Sequence, residues 1–135
     1  MDNKLYLYTD GGSRNNPGQA AIGAVLMDGE KIISKLSKRI GIATNNEAEY
    51  TALIQGIDMA LKHSPKELKC FMDSELVVKQ INGIYKIKEP RLQILCIKAR
   101  SLARQAGKVT FEYIPRSQNS LADSLVNNAL DKKQL

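Results

Sequence analysis

The sequence predicts an α/β fold, in which a mixed five-stranded sheet carries helices packed on it. The first third of the 135-residue chain holds three β-type segments in a row, typical of antiparallel strands. The remainder alternates helical and β-type segments, and strands connected through helices pair in parallel. The chain has 43% hydrophobic and 25% charged residues, close to globular averages. We therefore expect a single domain over residues 1–135.

The first three strands are expected to form an antiparallel meander. Lys4 to Thr9 is bulky at both alternating positions, which indicates a central strand buried on both faces. We expect this strand to end in a turn at Asp10-Gly11-Gly12. Ala20 to Met27 is the second strand, and Asp28-Gly29 is typical of a hairpin turn into a third strand over Glu30 to Ile40.

The strongest helical segment runs from Thr44 to His63. Thr44 is a good N-cap, Glu47 completes a capping box three residues later, and Pro65 follows the helix. The remaining predicted elements are a strand over Leu68–Met72, a short helix from Asp73-Ser74 to about Ile81, a helix from Pro90 to about Gln105, a strand over Val109–Ile114 and a closing helix over Ser120–Leu130.

Composition narrows the class of protein. No apolar run approaches the roughly 18 residues of a membrane helix, and Met1 to Lys4 leads into a strand without an export signal. We expect a cytoplasmic monomer with no membrane partner, and reduced, buried Cys70 and Cys96. The 20 basic and 14 acidic residues give a net charge of +6, which favours a polyanionic partner.

Four acidic residues fall at strand ends and helix starts, where an α/β fold gathers functional groups. Asp10 ends the predicted first strand, Asp73 ends the fourth, and Asp123 lies in the first turn of the last helix. Each has a structural alternative. Asp10 can be a turn former, Asp73 a helix cap, and Asp123 the partner of Ser120 in a capping box.

The fourth acid, Glu49, is the most informative. Glu47 already fills the capping position, whereas Glu49 shares a helix face with Leu53, Ile57 and Ala60. An unpaired charge on a core-facing stripe is costly, so it requires a partner such as a metal ion.

Clustered carboxylates without His or Cys select hard cations, here Mg²⁺ or Mn²⁺. Two such ions can stabilise both oxygens of a phosphoryl displacement. The only histidine, His63, lies at a helix end, which argues against a Ser-His-Asp triad. With the four acids set aside, the remaining 20 basic and 10 acidic residues leave +10, as expected for a nuclease.

Four motifs in register then resemble type 1 ribonucleases H, specifically the compact members without a basic protrusion or a hybrid-binding domain. They are Tyr8-Thr9-Asp10-Gly11-Gly12-Ser13 with Asn16-Pro17-Gly18, Thr44-Asn45-Asn46-Glu47-Ala48-Glu49, Asp73-Ser74-Glu75-Leu76-Val77-Val78, and Asn119-Ser120-Leu121-Ala122-Asp123.

The resemblance implies a ribonuclease H-like fold and an endoribonuclease that cuts the RNA strand of RNA/DNA hybrids with two Mg²⁺ ions, Mn²⁺ being a possible substitute. Its catalytic and metal-binding acids would be Asp10, Glu49, Asp73 and Asp123, with Glu49 also near the ribose 2′-hydroxyl. Nucleic-acid contacts are expected from Gly11, Gly12, Thr44, Asn45, Asn46, Ser74, Lys86 and Lys88.

Two departures from the family pattern keep alternatives open. Many members carry a histidine about ten residues before the last acid, where this chain has Tyr113. Glu75 replaces a frequent glutamine and would face phosphates. The alternatives are a catalytically weak or inactive nucleic-acid-binding module of the same fold, and a nuclease acting on double-stranded RNA or RNA–DNA junctions.

Overall fold

The computed structural model describes residues 3–132. Its strands are β1 (Lys4–Arg14), β2 (Gly18–Asp28), β3 (Lys31–Ala43), β4 (Glu67–Met72) and β5 (Lys108–Tyr113), and its helices are α1 (Asn45–Leu61), α2 (Glu75–Ile81), α3 (Pro90–Ala103) and α4 (Ser120–Asp131). The strand order is β3-β2-β1-β4-β5. β1, β2 and β3 are antiparallel, while β4 pairs in parallel with β1 and β5. The predicted fold class is confirmed.

The predicted turn at Asp10-Gly11-Gly12 is wrong, because β1 continues to Arg14 and Gly11 pairs with Ile22 of β2. The packing of α1 against β1 explains why residue 11 is a glycine. A Cβ on Gly11 would lie 2.3 Å from the carbonyl carbon and oxygen of Ala48, so only glycine lets α1 come this close. Pairing between β1 and β4 ends at Tyr8 and Phe71. Asp10 therefore lies within a strand, at the point where β1 and β4 separate.

The two faces of the sheet carry different layers. Leu5 and Leu7 of β1 are buried in the main core with residues of α1 and α3. On the opposite face, α4 packs on β2 through contacts that include Val126 and Ala21. The predicted burial of β1 on both faces holds only in part, because Tyr6 and Tyr8 are half-buried.

The helix starts agree with the sequence signals. Thr44 caps α1, and both halves of its capping box with Glu47 are present. Ser74 caps α2 by accepting from the Val77 N–H. Cys70 and Cys96 are buried free thiols, as expected. Within residues 3–132, every helix is too short or too polar to cross a membrane.

Candidate active site

Three carboxylates from different elements meet where β1 and β4 separate. Asp10 lies in β1, Glu49 in α1, and Asp73 directly after β4. Their nearest carboxylate oxygens all lie within 4.8 Å of one another. Asp10 and Glu49 are each only 7% exposed, so two of the three charges are largely withdrawn from water. The structure thus brings together three of the four predicted acids.

Glu49 is held against β1 by the strand backbone. The Gly11 N–H donates a hydrogen bond of 2.7 Å to Glu49 Oε1. Leu53 and Ile57, on the same face of α1, are fully buried and fix the helix on the sheet. The close approach that requires Gly11 is therefore the contact that places this acid beside Asp10.

The electrostatics of the site are those of crowded negative charge. Burial raises the pKa of Asp10 to about 7, and the charges of Asp73 and Asp123 act in the same direction, while a hydrogen bond with Glu49 opposes them. Burial, followed by the charge of Asp10, raises the pKa of Glu49 well above its ordinary value. Both shifts express the cost of ionising these groups together without a positive partner.

Asp123 lines the same cleft, which has a volume of about 380 Å³. Its carboxylate accepts from Arg116 Nη2 at 3.5 Å and from Asn127 Nδ2 at 3.4 Å. The capping-box alternative for this residue is wrong, because the N-cap of α4 is Asn119 and Asp123 lies one residue beyond the position that such a box needs. The helix-cap alternative for Asp73 is also wrong, since Ser74 is the cap of α2.

Arg116 is a cleft residue that sequence reasoning missed. It follows β5 at the start of a short 3-10 turn, and its side chain is 81% exposed beside Asp123. The charge of Asp123, with smaller contributions from Asp10 and Asp73, raises the pKa of Arg116. Tyr113, which occupies the place considered for the missing histidine, is 48% exposed at the end of β5, and the cleft is lined by Arg116 instead. The detectable signal was a cation seven residues before Asp123.

Five of the residues expected to contact nucleic acid line the cleft, namely Gly11, Gly12, Asn45, Asn46 and Ser74. Asn45 also joins α1 to β1, because its Oδ1 accepts from the Ser13 N–H at 2.8 Å. Thr44 is committed to the helix cap through its bond from the Glu47 N–H. The first turn of α1 therefore opens onto the acids.

The predicted basic contacts lie elsewhere. Lys86 and Lys88 are exposed in the loop between α2 and α3, outside the residues that line the acidic cleft. Arg91 approaches the first turn of α1, where its Nη1 lies 3.8 Å from Glu47 Oε2. Glu75, expected to face phosphates, is paired with Lys79 at 2.7 Å, so its charge is partly neutralised.

The donor set fits a divalent cation. Asp10, Glu49 and Asp73 offer only carboxylate oxygens, the ligands that hard cations prefer. A bound cation would also offset the crowding that raises the pKa of Asp10 and of Glu49.

Comparison with known proteins gives a consistent result. The family described as reverse transcriptase-like matches residues 8–129. A curated bifunctional protein of Mycobacterium tuberculosis is 44% identical over 95% of this chain, and Ribonuclease HI of Halobacterium salinarum is 39% identical over 95%. The chain spans 36% of the length of the first of these relatives and 65% of the second.

Solved structures superpose closely over nearly the whole chain. Ribonuclease H1 of Halobacterium salinarum has a TM-score of 0.92 at 39% identity, covering 95% of this chain and 98% of that one. A ribonuclease H1 isolated from compost by a metagenomic approach and solved with an RNA/DNA hybrid has a TM-score of 0.89 at 41% identity. That match covers 94% of this chain and 96% of the other.

Proposed function

This chain belongs to the ribonuclease H family, and from that premise we propose that it is an endoribonuclease that hydrolyses the RNA strand of RNA/DNA hybrids. One observation carries the proposal: the carboxylate oxygens of Asp10, Glu49 and Asp73 lie within 4.8 Å of one another at the end of the sheet. The hybrid bound by the compost ribonuclease H1 supports the choice of substrate, because that protein shares this fold over nearly its whole length.

Asp10, Glu49, Asp73 and Asp123 are the proposed catalytic and metal-binding acids. Asp10 and Asp73 would be shared between two Mg²⁺ ions, for which Mn²⁺ is a possible substitute. Held by these acids, two divalent cations would supply Lewis-acid chemistry, namely a more nucleophilic water and charge stabilisation at the leaving oxygen, as needed for hydrolysis to a 3′-hydroxyl and a 5′-phosphate. Burial of Asp10 and Glu49 among packed residues would keep these carboxylates in position before substrate arrives.

The protein's own groups orient the RNA strand. Glu49 lies beside the first turn of α1, where it is suited to accept from the ribose 2′-hydroxyl that distinguishes RNA from DNA. Asn45 and Asn46 extend from the same helix start towards the cleft, as expected for contacts to the minor groove and sugar–phosphate backbone. The exposed guanidinium of Arg116 can donate to a phosphate oxygen next to the acids.

Basic residues farther from the acids complete the proposed interface. Arg91 lies next to the first turn of α1, and Lys86 and Lys88 precede it in an exposed loop. We propose that these three cations contact the backbone of the hybrid away from the scissile phosphate, in place of a larger basic protrusion. The same proposal includes a single domain over residues 1–135, a monomeric state and a cytoplasmic location.

The test is a cleavage assay on four end-labelled substrates of one sequence: RNA/DNA, RNA/RNA and DNA/DNA duplexes, and single-stranded RNA. Each is incubated with Mg²⁺, with Mn²⁺, or with EDTA. We expect cleavage of only the RNA strand of the hybrid, abolished by EDTA and by Asp73→Asn. Asp58→Asn, which alters an exposed acid on α1, is the matched control and should cleave as the parent does.

Other results would contradict the proposal. Hybrid binding without cleavage in either metal would identify an inactive binding module. Equal cleavage of the RNA/RNA duplex would show a different substrate class. Full activity of Asp73→Asn would refute the assignment of the acids.

A further inference from the structure

Asn119 is a buried amide in contact with the Asp73 carboxylate. The residue is 1% exposed and lies at the start of α4, next to β1 and the end of β4. Nδ2 donates to the Thr9 carbonyl at 2.9 Å and to Asp73 Oδ2 at 3.2 Å. Oδ1 is also buried and, among residues 3–132, has no hydrogen-bond partner.

This pattern of bonds fixes the orientation of the amide. Both nearby groups, a carbonyl and a carboxylate, are acceptors, so only the NH₂ end can face them. The other end is left with an unpaired buried oxygen, which lowers the stability of the fold. A polar group kept at a cost in stability indicates a requirement other than folding.

Asn119 is also connected to the other acids. The Thr9 carbonyl that it binds belongs to the residue directly before Asp10. Its own carbonyl accepts the N–H of Asp123 at 3.0 Å in the first turn of α4. One residue therefore joins Asp73, the backbone next to Asp10, and the helix that carries Asp123.

We propose that Asn119 is a positioning residue, which holds the Asp73 carboxylate in the orientation that shares a divalent cation with Asp10 and Glu49. This inference rests on the proposed metal-dependent function. The hydrogen bond from Nδ2 occupies one oxygen of Asp73 and limits rotation of the carboxylate, so the site is set before the cation binds. Hydrogen bonds to ligating carboxylates are known to tune metal affinity in this way.

The experiment measures Mg²⁺ binding by the full chain without nucleic acid, using isothermal titration calorimetry. Asn119→Ala removes the side chain, and Asn119→Leu keeps its approximate size but has no group that can donate to Asp73. We expect both variants to bind Mg²⁺ about ten-fold or more weakly than the parent. Asn82→Ala is the matched control, because Asn82 Nδ2 donates to the Phe111 carbonyl at 3.0 Å, outside the cleft-lining residues.

Two further measurements separate positioning from a purely structural role. Thermal unfolding in EDTA reports stability alone, and we expect Asn82→Ala to lose stability with unchanged Mg²⁺ affinity. For hybrid cleavage at saturating Mg²⁺, we expect the Asn119 variants to lose kcat while KM stays within about two-fold, as for a defect confined to the reacting groups.

The inference is overturned if either folded Asn119 variant binds Mg²⁺ as tightly as the parent. A variant whose only change is a lower unfolding temperature would show that Asn119 has a purely structural role. If Asn119→Ala does not fold, Asn119→Leu decides alone. A parent protein that binds Mg²⁺ but cleaves no hybrid would defeat the proposed function, and the calorimetry would still decide the role of Asn119. A parent that binds no Mg²⁺ would defeat both.

Discussion

Replacing Asp10 by asparagine should stabilise the metal-free protein at neutral and alkaline pH but have little effect near pH 4. Burial raises the pKa of Asp10 from 3.8 to about 7. The folded protein therefore retains a proton that the unfolded chain releases, and stability falls as pH rises through that interval. At pH 4, close to the ordinary pKa of 3.8, little of this cost has developed, so the substitution should change the stability little there.

The size of the effect follows from the pKa of Asp10. The rise in pKa from 3.8 to about 7, at 1.36 kcal/mol per pH unit, means that ionised Asp10 lowers the stability of the folded protein by about 4 kcal/mol. The introduced amide would itself be a buried polar group, which reduces the gain. Loss of the Asp10 charge also relieves Glu49, whose pKa that charge raises. We expect the variant to be about 2–4 kcal/mol more stable at pH 8.

Urea denaturation in EDTA at pH 4 and pH 8 measures the difference directly. Asp58→Asn provides the control for removing a carboxylate from the protein surface. Adding Mg²⁺ at pH 8 should then stabilise the parent more than Asp10→Asn. The cation stabilises a protein by binding its folded state, and the variant lacks one of the proposed metal-binding carboxylates. Equal unfolding free energies for parent and variant at both pH values would refute the argument that Asp10 is held at an electrostatic cost.

Other substitutions test packing and charge around the cleft. Gly11→Ala should lower the free energy of unfolding in urea by at least about 1–3 kcal/mol and remove most of the activity, because its Cβ has no room against α1. Gly12→Ala is the control, since its Cβ would meet its nearest atom at 3.5 Å and should be tolerated. Arg116→Ala should lower kcat/KM for hybrid cleavage by about ten-fold, and unchanged kinetics would remove it from the site. Glu75→Gln should tighten hybrid binding by no more than about two-fold at low salt, because Lys79 already neutralises part of the Glu75 charge. A larger gain would show that Glu75 faces the substrate phosphates unpaired.

The elements could be read from the sequence because their signals are local. The capping box at Thr44 and Glu47 fixes the start of α1, and the apolar stripe then places Glu49 on its buried face. The end of β1 could not be predicted in this way. A Gly-Gly pair is compatible with a turn or with close packing, and the choice depends on Ala48, which is distant in sequence.

The role of Asn119 was also beyond local reasoning, whereas Arg116 had a local signal in its position seven residues before Asp123. Asn119 bonds to groups 110 and 46 residues away, and neither distance leaves a pattern in a single sequence. By contrast, the pairing of Glu75 with Lys79 was predictable, because residues four apart are neighbours on a helix. The expectation that the Glu75 charge would face phosphates was incomplete, because it left out this pairing with Lys79.

The free edge of β1 has a consequence for how this protein can vary. Within the described part of the chain, residues 3–132, the strand beyond Tyr8 pairs with β2 only. Its other edge offers the Gly11 N–H to Glu49 and the Ser13 N–H to Asn45. Donors on one edge recur every second residue, as do side chains on one face. An insertion or deletion of one residue before Asp10 would turn its carboxylate towards α1 and direct both donors away from their partners. In this segment, inherited changes in chain length should be excluded more strictly than changes of side chain, and the spacing of the backbone is what evolution has to preserve.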